Sequence, residues 1–268
     1  MSEVMVQPQT SYLICATPRS GSFLLCEALI NTGVAGGPGE YFWKGNEAGF
    51  ADRWDVSVSS YADYLAKAME QGSTPNGVFG AKIMWGYFED FVAKLRQIPA
   101  YAAVPFPRLL ATVFPNLHYI HMTRRDKVRQ AVSHWKALQT NVWAWSGEEL
   151  PLPATEPVFD FAAIDTIVQA TVAHDAAWQQ YFAACGVQPL TLVYEDLVAS
   201  YEESVLRVLT YLEVVLPPQV AFGPRRMRKQ ADAQSEEWVQ RYLELVQRPR
   251  DQPRPLASSA DDVADRNV

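Results

Sequence analysis

The passage from Tyr12 to Asn31 constrains this chain more than any other. A short apolar run, YLICA (Tyr12 to Ala16), has the character of a strand buried on both faces, as in a parallel sheet. A turn bearing Pro, Ser and Gly follows, and then an apolar, helix-compatible segment from Ser22 to Asn31. The pattern recurs. Strands are expected at Val78–Met84, Leu117–Met122 and Leu190–Val193. Helices are expected at Ser60–Gln71, Tyr87–Ile98, Asp126–Gln139, Glu202–Leu212 and Glu236–Val246, with one long helix or two over Phe159–Ala184. Strands alternating with helices predict an α/β fold with a parallel sheet covered on both faces. Such sheets bind ligands at the carboxyl ends of their strands.

The turn Ala16 to Ser22 lies at such an end. Backbone N–H groups at a helix N-terminus favour an anion, Gly21 permits close approach, and Arg19 adds a planar fork of donors. Ser20 and Ser22 add hydroxyls. The loop lacks the leading Gly and the Lys of GxxxxGK[ST], which disfavours a nucleoside-triphosphate enzyme. An ordinary strand–turn–helix carrying a Gly fits the spacing equally well.

The net charge of −7 excludes a bulk basic field for nucleic acid or an anionic membrane, so any anionic ligand must be held by a few local cations. No apolar run approaches the ~18–20 residues that span a bilayer, and the first residues do not read as a signal peptide. Cys15, Cys26 and Cys185 read as reduced thiols, which points to the cytoplasm. His118, His121, His134 and His174 form no metal-binding motif and the cysteines form no CxxC, so no metal is expected. A single domain is expected over 1–248, with a disordered tail over 249–268.

The string ATPRSGS resembles the 5′-phosphosulfate loop of sulfotransferases, and the likeness continues in order along the chain. TGVAGGPGEYF (Thr32–Phe42), GVFGAKIMW (Gly77–Trp85), RQAVSHWKALQTNVW (Arg129–Trp143) and KQADAQSEEWVQRY (Lys229–Tyr242) resemble the bacterial trehalose 2-sulfotransferase family. The resemblance implies a P-loop-like three-layer fold with a central, mostly parallel sheet. It also implies 3′-phosphoadenosine-5′-phosphosulfate (PAPS) as donor, a small hydroxyl-bearing acceptor, and a homodimer. The acceptor is left open among trehalose, another glycoside and a hydroxylated metabolite.

By this resemblance, Pro18, Arg19, Ser20, Gly21, Ser22 and Phe23 form the donor loop. Phe23 stands where many sulfotransferases have Ser or Thr. Ser133, with Arg124 or Arg125, is assigned to the 3′-phosphate, the spacing fitting either Arg. Tyr194 is placed near the adenine, and Arg228 and Lys229 open a C-terminal donor loop. Glu40 is the implied base, which burial under Tyr41, Phe42 and Trp43 would help by raising its pKa. Arg19 would neutralise the leaving phosphate and Lys82 would contact the sulfuryl group or the bridging oxygen. His134 is a rival base. The acceptor is expected near Glu40, Tyr41, Trp135, Gln139 and Trp143, since aromatic faces suit sugar C–H surfaces. Against these stand a nucleotide-dependent kinase and a non-catalytic nucleotide-binding protein.

Overall fold

A computed structural model describes residues 8–143, 156–215, 222 and 232–248. In chain order the elements are β1 (Thr10–Ala16), α1 (Ser22–Asn31), α2 (Lys44–Trp54), α3 (Tyr61–Gln71), β2 (Val78–Met84), α4 (Phe88–Gln97) and α5 (Phe106–Val113). Then come β3 (Leu117–Thr123), α6 (Lys127–Thr140), α7 (Phe161–Cys185), β4 (Leu190–Val193), α8 (Tyr194–Ala199), α9 (Tyr201–Tyr211) and α10 (Ala233–Gln247). The four strands form one sheet in the order β2-β1-β3-β4, and every pair is parallel. The expected α/β architecture with a parallel sheet flanked by helices is what the chain adopts.

β1 and β2 are buried almost throughout, as their unbroken apolar runs require. The region over Phe159–Ala184 is one helix, α7, capped by Asp160, whose carboxylate accepts from Ala163 N at 3.0 Å, and ended by Gly186 at φ 65°. From α7, the Trp178 indole N–H donates to the Ala16 carbonyl at 3.0 Å, tying the helix to the end of β1.

Three helices lie where no helical pattern is read from the sequence. α2 (KGNEAGFADRW) carries two glycines and buries only Glu47 and Ala51, so its apolar periodicity is faint. Lys94 of α4 anchors it, its ammonium 2.7 Å from Glu47 and 2.7 Å from Asp90. Burial raises the Glu47 pKa despite that cation. α5 is a short helix started by Pro105. α8 occupies the YEDL segment that also reads as a cap for the next helix.

The loop after α1 positions a functional segment. It runs beside β2, with a parallel bridge between Gly39 and Ala81 and a bond from Lys82 N to the Gly39 carbonyl at 2.8 Å. Gly36, at φ 71°, lies so close to β2 that a Cβ would sit 2.8 Å from Gly80 N. The Tyr12 hydroxyl donates to the Ala35 carbonyl at 2.6 Å. Glu40 therefore leaves this loop from a backbone fixed to the sheet.

A second cluster joins α6, α7 and α10 through Ala131, Val132, Ile164, Trp238, Val239 and Leu245. Trp238 is part of this core, with its ring edge toward Phe159.

Candidate active site

The turn after β1 is held from outside. Gln130 on α6 donates to Thr17 Oγ1 at 2.9 Å and to the Pro18 carbonyl at 2.7 Å. Thr17 in turn donates to Asp175, a carboxylate that also takes bonds from Thr123 and Lys127. Arg19 has φ 63° and Gly21 φ 93°. The left-handed conformation at Gly21 is open to glycine, and a Cβ there would meet Tyr194 Cδ2 at 2.5 Å. Gly21 is the N-cap of α1 and supplies no side-chain cap, so the first N–H groups of that helix have no side-chain acceptor from it.

Around this turn the fold gathers cations. The Arg19 Nε–H donates to Ser133 Oγ at 3.0 Å, and an η nitrogen of Arg19 donates to the Trp143 carbonyl. Arg124, at the end of β3, lies with its guanidinium carbon 4.6 Å from the Tyr194 ring centroid and its Nε 3.8 Å from Glu195. Burial, and next the repulsion of Arg124, lower the Arg19 pKa to about 10. Burial lowers Arg124 as well. Arg125 turns the other way. Its guanidinium is exposed and pairs with Asp196 at 2.6 Å.

The charge of Arg124 disfavours that of Arg19, and an anion beside them would remove that conflict. Ser20 Oγ and Arg124 Nε are buried polar atoms without a hydrogen-bond partner. Cations, uncapped helix N–H groups and orphaned donors can hold an anion.

A second group lies beside the first, across Phe23 at the start of α1. Glu40 Oε2 is 2.9 Å from Lys82 Nζ, an ion pair whose angles fall outside hydrogen-bond geometry. Glu40 is 17% exposed and Lys82 1%, so the carboxylate alone of the two reaches solvent. The Tyr87 hydroxyl donates to Glu40 Oε1 at 3.1 Å and also lies 3.2 Å from the Lys82 carbonyl. The Phe23 ring covers Lys82, with 3.4 Å from ring centroid to Nζ. Tyr87 had no sequence signal, since one Tyr after a strand looks like any core tyrosine.

The expected acceptor residues separate. The Trp143 ring packs against His134 at 5.7 Å between centroids and its carbonyl accepts from Arg19, so it lies beside the cationic turn. Tyr41 points into the core, packed on Phe50 and Trp54, with its hydroxyl bonded to the Gly37 carbonyl. Trp135 and Gln139 both donate to the Val158 carbonyl, and Gln139 accepts from Val158 N, so they anchor the chain entering α7. Arg228, Lys229 and the tail over 249–268 lie outside the described residues.

His134 is no isolated surface residue. Burial, then the charges of Arg19 and His174, lower its pKa from 6.5 to about 4. Above pH 6.5 it is neutral in both folded and unfolded chains. Between pH 6.5 and 4 the unfolded chain binds a proton that the folded chain refuses, so stability falls with pH in that window. Equilibrium unfolding of His134→Gln should show a shallower loss from pH 6.5 to 4 than the parent.

Residues 11–244 match the Stf0 sulphotransferase family. A trehalose 2-sulfotransferase of Mycolicibacterium smegmatis is 33% identical over 264 residues, covering 89% of this chain and 96% of the relative. A trehalose 2-sulfotransferase of Mycobacterium tuberculosis is 31% identical over 256 residues, covering 86% and 93%. Among solved structures, the sulfotransferase domain from the Synechococcus PCC 7002 olefin synthase superposes with a TM-score of 0.42 at 13% identity, covering 91% of this chain and 98% of that one. With the family match spanning nearly the whole described chain, this protein belongs to the Stf0 sulfotransferases and is a sulfotransferase.

Proposed function

We propose that the protein transfers the sulfuryl group of PAPS to a hydroxyl of a small sugar acceptor, with Glu40 as base. The observation that carries this reading is the Glu40–Lys82 pair set beside the Arg19–Ser133–Arg124 cluster. The names of the two relatives favour trehalose, and its position 2, as acceptor and site.

When bound, the donor supplies a sulfuryl group on a phosphate leaving group. Arg19, Arg124, Ser133 and the N–H groups of Gly21 to Phe23 would hold the phosphates, with Tyr194 beside them. Glu40 would take the proton of the acceptor hydroxyl as that oxygen bonds to sulfur. As the bond from sulfur to the bridging oxygen breaks, Arg19 and Lys82 would offset the charge left on the phosphate. Lys82 must loosen from Glu40 Oε2 for that carboxylate oxygen to meet a hydroxyl. Tyr87 would keep Glu40 aimed meanwhile through Oε1. A single catalytic domain over 1–248, a homodimer and a cytoplasmic location complete the proposal. The kinase and non-catalytic alternatives yield to the family assignment.

The test of the donor is thermal unfolding with 3′,5′-adenosine bisphosphate or with ATP and Mg²⁺. At ~100 times its dissociation constant the bisphosphate should add about 2.7 kcal/mol of stability. Stabilisation by ATP alone would reject PAPS as donor.

A further inference from the structure

Lys82 is 1% exposed, yet its ammonium makes no well-formed hydrogen bond. Two groups hold it: the Glu40 carboxylate at 2.9 Å and the face of Phe23 at 3.4 Å. Phe23 itself is 39% exposed, high for a Phe on the second residue of a helix whose next two residues are buried. Its ring is spread over a charge instead of being packed into the core. The donor loop and the Glu40–Lys82 pair meet at this side chain, since Ser22 and Gly21 before it belong to the loop.

We propose that Phe23 is a positioning residue for Lys82. Its ring keeps water from the ammonium and holds it between the donor loop and Glu40, so Lys82 stays in place when Glu40 Oε2 leaves it for the acceptor hydroxyl. A Ser or Thr here would offer one more hydroxyl to the donor and leave the ammonium uncovered. The aromatic face gives up that contact for control of Lys82. This inference rests on the reading of Glu40 and Lys82 as the catalytic pair.

The experiment compares Phe23→Leu, Phe23→Tyr and Phe23→Thr in the full chain. PAPS and trehalose serve as substrates, and 3′,5′-adenosine bisphosphate as binding probe. Leu keeps the apolar volume and removes the ring face. A cation–π contact on a desolvated ammonium is worth about tenfold in an equilibrium, and Phe23→Leu should lose about that factor in kcat. Its bisphosphate affinity should stay at the wild-type value, and Phe23→Tyr should retain kcat. In the protein with carbon-13-labelled lysine, the ε-methylene protons of Lys82, assigned by their loss in Lys82→Arg, should be ring-shifted upfield. The shift should persist in Phe23→Tyr and vanish in Phe23→Leu.

Wild-type kcat in Phe23→Leu overturns the proposal. So does a Lys82 resonance at the position of a free lysine in the wild type, or a Phe23→Thr variant that binds bisphosphate tighter and turns over faster. A wild type that binds no bisphosphate rejects the donor reading instead. The Lys82 resonance then decides this proposal alone, supporting it if ring-shifted and overturning it if not.

Discussion

Replacing Glu40 by Gln lowers kcat by about 10²–10⁴-fold, the usual worth of a general base, while bisphosphate binding stays near the wild-type value. The amide has the shape of the carboxylate and can still accept from Tyr87, whose hydroxyl lies 3.1 Å from Oε1. It cannot take a proton at neutral pH. The substitution also leaves the Lys82 ammonium, 1% exposed, without its counter-charge. Removing one partner of a buried pair is destabilising, by about 3 kcal/mol or more. Stability and activity must therefore be separated. The double variant Glu40→Gln, Lys82→Met removes the stranded charge, so it should regain stability over Glu40→Gln and stay inactive. Urea unfolding and steady-state rates on the same three proteins check both halves. If activity returned along with stability, the loss in Glu40→Gln would be structural and Glu40 would not be the base.

The second large effect separates two neighbours that the sequence leaves equivalent. Arg124→Ala should weaken bisphosphate binding by about 10- to 150-fold, the worth of a charge-assisted hydrogen bond. Arg125→Ala should change it by less than about threefold, because that side chain is exposed and paired with Asp196 away from the cluster. Calorimetric titration of both variants decides. Arg124→Ala should also let the Arg19 pKa rise, since the repulsion of Arg124 helps to lower it. Equal losses in the two variants would mean that Arg125 turns inward when the ligand binds.

That pair illustrates what the sequence could and could not disclose. The register from a strand end to Ser133 admits either Arg, because counting positions says nothing about which side of the chain faces the loop. In the fold Arg124 lies over the Tyr194 ring, which packs on Gly21, whereas Arg125 pairs with Asp196. α1, β2 and β4 begin and end where their apolar runs do, most plainly β2, which is buried at every residue. α2 was illegible because two glycines interrupt it and its apolar stripe is short, only Phe50, Ala51 and Trp54 packing on the core, with Glu47 tied to Lys94. Tyr41 sits next to Glu40 in sequence and was expected to share its pocket. The carboxylate turns to Lys82 and the ring turns to Phe50 and Trp54. Trp135 and Gln139 were expected near the acceptor for their chemistry alone. Their partner, Val158, lies beyond a long connection that no local pattern predicts. Tyr87 was missed for the converse reason, since its hydroxyl acquires meaning only when the loop of Glu40 is laid along β2.

On this reading the Glu40–Lys82 pair and the cationic turn together move a sulfuryl group from PAPS to a sugar hydroxyl. Incubating the purified protein with PAPS carrying radioactive sulfur, and with trehalose as acceptor, measures this directly. The expected result is label on trehalose in the wild type and a rate lower by the factor stated above in Glu40→Gln. Label that never reaches trehalose would reject it as the acceptor, and label that reaches it equally fast with Glu40→Gln would reject Glu40 as the base.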